Sequence, residues 1–316
     1  MRRIHIKKKQ WIAILIGSIC IGGSLFYARN YIIQETTSKI AAETAAKENL
    51  KKEILRYLSE EHTSQEIETK LLDAFTKLDP YSCTELVDTY LYGVYNTCAQ
   101  YVLNDEDTNL LYRYVVSDNQ FDFSELEDED MKKTIKERAD QHIVLRYLNG
   151  ALYWDTDYAY FDQTFAPYVI PDYRDIIHFY AEEREESYFD DTSDKLYTNI
   201  VIQRLNKLQH LLNVYQDSDL RYFMEDSYYL YKSVYLGAYA QDYIFDNGKL
   251  REEILTSYKE YSNQCADPEL SEFLKMLIKE YEEVDLTRTV PIYEKIKDFC
   301  GFYVSEKTDP TITPKS

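Results

Sequence analysis

Two carboxylates with one residue between them, flanked by aromatic rings, are the residues in the sequence that could carry hydrolytic chemistry. Trp154, Asp155, Asp157 and Tyr158 lie within five consecutive positions. Glycoside hydrolysis runs on a pair of carboxyl groups about 5–9.5 Å apart, one protonating the leaving oxygen and the other attacking or activating water. Aromatic faces beside such a pair would seat the sugar ring. Asp155 and Asp157 are therefore the candidate pair of an all-α carbohydrate-active hydrolase, with Trp154 and Tyr158 as binding residues. The chain holds 56 acidic side chains, however, so neighbouring carboxylates also arise without catalytic meaning.

Tyrosine, at 32 copies, offers a second surface. Tyr231, Tyr235, Tyr239 and Tyr243 recur every fourth residue and would form a ridge along one helix. That ridge is either a stacking platform for a sugar or partner helix, or the padded edge of a core stripe formed by Leu220, Phe223, Leu230 and Val234. A Tyr-Leu-x-Gly echo recurs at Tyr90–Gly93 and Tyr147–Gly150, with a shorter version at Tyr235–Gly237. In each, glycine is expected to mark a close helix crossing.

Cysteine chemistry is limited by geometry. Cys83 and Cys98 flank one predicted helix, and fifteen residues of rise hold them roughly 22 Å apart, too far to bridge. Cys265 and Cys300 end helices that would be neighbours in an up-down-up arrangement, so Cys265–Cys300 is the one disulfide expected. The five histidines are scattered, and no metalloprotease, nucleophile-elbow or phosphate-loop motif occurs. A calcium loop begun by Asp105, Asp107 and Asn109 fails at Leu110 and Val116, where glycine and glutamate are needed. No metal or cofactor is expected, and binding is favoured over catalysis.

These residues need elements to position them. With only 8 Gly and 7 Pro in 316 residues, turn-rich sandwiches and barrels are excluded. Apolar residues recur at helical spacing, as at Val87, Leu91, Val94 and Cys98, and again from Tyr197 through Leu212. Helices are predicted from Ser64 to Leu78, Thr84 to Leu103, Thr108 to Val116 and Ser124 to Trp154. The last of these opens on a Ser124–Glu127 capping box. An irregular stretch covers 155–170. Further helices follow from Pro171 to Phe189, Thr192 or Ser193 to Tyr215, and Ser218 to Phe245. Three more, at 249–264, Pro268–Glu283 and Val290–Tyr303, complete an all-α fold, a helical bundle or stacked-hairpin array.

Ahead of this comes an address. Residues 1–10 form a basic tail, and 11–28 run without charge for about 27 Å, with Trp11 and Tyr27 near the ends. The positive-inside rule places the N-terminus in the cytoplasm. The expected protein is a single-pass membrane protein with a helical stalk at 29–61, an acidic extracytoplasmic domain at 62–303 and a loose tail at 304–316. Secretion after cleavage of a signal peptide is the alternative.

The net charge is −20, and the first thirty residues carry six of the 36 basic side chains and no acid. The remainder, with 30 basic against 56 acidic groups, would be repelled by nucleic acid, which is rejected as a partner. The expected function is non-catalytic: binding or scaffolding a protein or basic peptide at the cell envelope. The alternatives are the hydrolase and a sensory or secretion-accessory ectodomain, with carbohydrate as a further candidate ligand.

Overall fold

The computed structural model describes residues 23–117, 119–148, 151–190, 195–218, 220–239 and 243–301. The chain divides into two compact units, residues 1–52 and 53–316. Among the described residues, twelve α-helices and four two-stranded antiparallel hairpins succeed one another, so the chain is predominantly helical. The first helix, α1, is Gly23–Tyr57. No helix among the described residues is long and apolar enough to cross a membrane. The expected anchor at 11–28 lies outside the described residues as far as position 22.

Helix starts follow side-chain chemistry. Thr63 caps α2 (Ser64–Phe75) in a complete capping box with Glu66, and Asp79 followed by Pro80 opens α3 (Pro80–Cys98). Asn104 caps α4 (Asp105–Leu111), and a short hairpin of β1 (Val115–Ser117) and β2 (Gln120–Phe121) follows. The helix expected from Ser124 to Trp154 is replaced by two elements. Asp128, rather than Ser124, caps a shorter α5 (Glu129–Ala139), which carries one basic and one acidic flank before ending. The chain then forms a six-residue antiparallel hairpin of β3 (Ile143–Leu148) and β4 (Ala151–Thr156). Its strands are rich in β-branched and aromatic residues, and Leu148 pairs with Ala151 across the two residues between them.

The stretch expected to be irregular contains α6 (Tyr158–Phe165), started by the Asp157 side chain, and α7 (Pro171–Glu183) follows. After the small hairpin β5 (Phe189–Asp190) and β6 (Lys195–Leu196) come α8 (Thr198–Val214) and α9 (Arg221–Leu236), packed against each other. The hairpin β7 (Phe245–Asp246) and β8 (Lys249–Leu250) leads to α10 (Glu252–Tyr261), α11 (Pro268–Glu283) and α12 (Val290–Cys300).

The main core is built from α7 to α12, where Val201, Leu205, Val234, Tyr235, Tyr258 and Leu274 are sealed from solvent. Helix α9 ends much earlier than the expected Phe245, because Gly237 takes the left-handed conformation (φ 78°). A side chain there would also come within 3.1 Å of the Phe245 ring. The disulfide expected between Cys265 and Cys300 is not formed: all four described cysteines are free. Cys300 is instead held where α12 packs on α9, against Ser233 and Lys232.

Candidate functional site

An open groove of about 960 Å³ is bounded by the start of α2, the C-terminal half of α3 and the end of α5. Helical spacing builds its walls. Tyr90, Gly93, Thr97 and Tyr101 succeed one another at steps of three and four along α3 and just beyond it, with Val94 beside Gly93. At the end of α5, Asp140 and Gln141 lie three and four residues after Glu137, while Thr63, Ser64, Glu66 and Ile67 come from the start of α2. Glu61 and His62 close one end. Four carboxylates therefore line the groove, and no lysine or arginine does.

Some of this polar chemistry is already used. Glu66 Oε2 accepts from the Thr63 amide at 2.9 Å, and the hydroxyl of Tyr101 donates to Gln141 Oε1 at 3.2 Å. His62 stacks on Tyr57 with ring centroids 3.6 Å apart, and the Arg138 guanidinium lies over the Tyr101 ring. One feature is not used: Gly93 opens onto free space, with no neighbouring side chain within 4 Å of where a Cβ would sit. Tyr90 is 5% exposed, and its buried hydroxyl lies by the Ser64 side chain. Burial pushes its phenol up to about 12, against the opposing pull of Ser64 and with a smaller push from the Glu68 charge.

Behind Tyr90 lies a second aromatic layer. The Tyr90 ring meets His142 edge-on at 6.1 Å, and His142 stacks on Tyr160 at 3.6 Å. His142 Nε2 has no hydrogen-bond partner, while the Glu68 and Thr164 side chains lie by the Tyr160 hydroxyl. Burial depresses the imidazole against the opposing pull of Glu68 and Asp157. Burial raises the Tyr160 phenol, with Glu68 adding to the shift from close by.

A second pocket, of about 380 Å³, shares Tyr101 with the groove and is lined by Tyr95, Cys98, Tyr153, Trp154 and Asp155 among others. The structure thus brings Trp154 and Asp155 into one cavity but leaves Asp157 and Tyr158 out of its wall. Asp157 is occupied as the cap of α6, where its Oδ1 accepts from the Tyr160 amide at 3.0 Å. Asp155 Oδ2 accepts from Arg184 Nε at 2.6 Å, and its Oδ1 accepts from the Thr156 amide. Tyr158 is buried beneath the same guanidinium, whose centre lies 4.2 Å from the ring.

Arg184 is the hub of a buried network. It also donates to Glu183 Oε1 at 2.7 Å, and the other oxygen of Glu183 accepts from the Tyr231 hydroxyl at 2.8 Å. Arg204 donates to Tyr231 at 3.1 Å and to the carbonyl oxygens of Glu183 and Glu186, satisfying the C-terminal end of α7. Burial works against the Arg184 charge, but Asp155 and Glu183 outweigh it and strengthen its hold on the proton.

The tyrosine ridge does not form an open platform. Tyr231 and Tyr235 are buried, one in this network and the other bonded to Ser257 at 2.9 Å. Tyr239 and Tyr243 lie past the end of α9, and Tyr243 stacks on Phe189 at 4.2 Å. The repeated Tyr-Leu-x-Gly echo serves three different ends. Gly93 faces a groove instead of a helix crossing, the second copy falls on a strand end, and Gly237 terminates a helix. Reading the sequence flagged Tyr90 and Gly93 only through that echo; their common helical face with Thr97 and Tyr101 was the signal available for the groove. Among the described residues, no group of three or more His, Cys, Asp or Glu could hold a metal ion.

No protein-family model matches the chain, and no curated protein or solved structure matches it.

Proposed function

We propose that this protein binds a cationic peptide segment of a partner protein in the groove between α2, α3 and α5, without catalysis. One observation carries the reading: four carboxylates and no lysine or arginine line a cavity of about 960 Å³. Ligand clefts commonly run from about 300 to 1,000 Å³, so this groove has room for a side chain and its neighbours. The chain's charge of −20 would speed the approach of a basic partner and repel acidic ones. An anchor at 11–28 would hold the groove beside a membrane, at the cell envelope.

A polyanion attracts lysine-rich peptides everywhere, so the test separates the groove from diffuse charge. Full-length protein is titrated with a fluorescent lysine-rich peptide, and binding should weaken steeply from about 50 to 300 mM salt. Gly93→Gln fills the groove and leaves the net charge unchanged. It should abolish the tight phase, while Gly93→Ala, about 1 kcal/mol more helix-stable than glycine, should fold at least as well as the parent. Neutralising Glu185 and Glu186, which lie outside the groove, should change affinity little. Unaltered binding in Gly93→Gln would show that the peptide sits elsewhere.

A further inference from the structure

The smaller pocket beside the groove has the opposite chemistry. Among the described residues lining it, Asp155 is the one charged side chain, and both its oxygens are engaged, by Arg184 Nε at 2.6 Å and by the Thr156 amide at 2.9 Å. What remains is apolar surface around Cys98 and Trp154, 7% and 9% exposed. Cys98 is a free thiol that burial, with a smaller push from Asp155, raises to about 11 against the pull of Arg138, so its sulfur stays neutral. The rim is Tyr95 and Val102, which are 52% and 86% exposed. Apolar groups left in water around an uncharged hollow mark a place for an apolar partner group.

The groove itself says what that group is attached to. Tyr101 is a wall of both cavities, so a chain lying in the groove reaches the pocket by crossing one side chain. Gly93 in the groove and Cys98 in the pocket are five residues apart on α3, about 7.5 Å of rise and somewhat more than a third of a turn. Over the surface of a helix about 10–12 Å across, that separation is roughly 15 Å, the span of four or five residues of extended peptide. A volume of about 380 Å³ has room for one side chain and the backbone that carries it.

We propose that the peptide bound in the groove continues across Tyr101 and buries one uncharged apolar side chain, leucine in size, in the pocket against Cys98 and Trp154. The partner segment is then bipartite: a basic run for the groove and an apolar anchor four or five residues from it. This rests on the peptide-binding reading of the groove and adds the second half of what the partner must carry. The groove's carboxylates supply attraction that any lysine-rich chain shares, and the pocket supplies selection among such chains.

The probe is a fluorescent lysine-rich peptide with a leucine five residues to each side of its lysines, which covers both chain directions. Its control is the same peptide with both leucines replaced by serine. Full-length protein should bind the leucine form at least tenfold more tightly, as burial of most of a leucine side chain predicts. Tyr95→Ser combined with Val102→Ser strips the rim at two exposed positions outside the groove. That variant should melt as the parent does, keep its affinity for the serine peptide and bind the leucine peptide no better. A diazirine-bearing leucine in the peptide should insert into residues 95–103 or 152–154. Equal affinity of the two peptides for the parent would overturn the apolar anchor while leaving groove binding standing. A preference that survives in the double variant, or insertion elsewhere in the chain, would overturn it as well. If neither peptide binds in a salt-sensitive way, the groove reading itself fails, and this inference with it.

Discussion

His142, packed against Tyr90 behind the groove wall, is held at a cost. The residue holds a left-handed backbone (φ 57°), which non-glycine residues rarely adopt. Its ring is packed on Tyr160 with Nε2 unpartnered. The charged groups acting on it are Glu68 from α2 and Asp157 at the start of α6, both favouring the imidazolium, yet burial prevails and the folded-state pKa lies below 6.5. The unfolded chain therefore binds this proton more readily than the folded one. Its contribution to stability is complete above about pH 6.5 and is lost as pH falls towards the folded value. Urea midpoints measured between about pH 7.5 and 5 should fall, and His142→Asn, which tolerates the left-handed backbone, should flatten that fall. A slope unchanged in His142→Asn would assign the acid sensitivity to other groups.

Between elements, the decisive contact is the Arg184 network. It fastens β4 through Asp155 to the end of α7, and through Glu183 and Tyr231 to α9, with Arg204 of α8 holding the last carbonyls of α7. The three charged side chains Arg184, Asp155 and Glu183 are all at most one-fifth exposed. Removing the cation alone strands two carboxylates in the interior, so Arg184→Met should cost about 3–5 kcal/mol by chemical denaturation. Replacing Asp155 by Asn in the same protein should recover part of that loss, because one stranded charge disappears. Losses that add without recovery would mean the charges are not coupled through Arg184.

Much of this level could be read from the chain. Pro268–Glu283 runs as expected because Asp267 and Pro268 mark its start and its apolar residues keep one face. Thr63 and Glu66, one residue ahead of the expected Ser64, fix α2. The β3–β4 hairpin is hard to tell from helix in the sequence because Ile143 to Leu148, mostly apolar but interrupted by Arg146, is too short for its period to decide. Asn149-Gly150, the pair most favoured between two hairpin strands, was the stronger signal. The end of α9 was missed because the tyrosine spacing continues past Gly237, and only the close approach of Phe245 and Ile244 shows why the helix stops. One wall of the groove is legible as the shared helical face of Tyr90, Gly93 and Thr97, but its other walls are not, since only packing brings Glu66, Gly93 and Asp140 together from three separated helices.

For the molecule as a whole, tyrosine is a major component of the interior beside leucine. Tyr235, Tyr258 and Tyr281 are among its largest fully sealed side chains. Burial raises the phenols of Tyr158, Tyr173, Tyr231 and Tyr258 far above their usual range near 10, outweighing the opposing pull of Arg184 at Tyr158 and of Arg204 at Tyr231. An unfolded chain releases these protons earlier than the folded one. The stability they confer is thus whole below about pH 10 and is lost as pH rises beyond it. An alkaline titration followed at the phenolate absorbance should show a first group of exposed tyrosines ionising reversibly near pH 10. A second, larger step should coincide with loss of helical circular dichroism. Smooth ionisation of all tyrosines with the helices intact would contradict the packing described.

The two tryptophans fall in unequal settings: Trp11 lies within the expected anchor, and Trp154 is 9% exposed on the wall of the pocket that shares Tyr101 with the groove. Light absorbed by the phenol rings around it can pass to that one indole. Its emission colour and brightness then report, with no added dye, on whatever comes to rest a few side chains away.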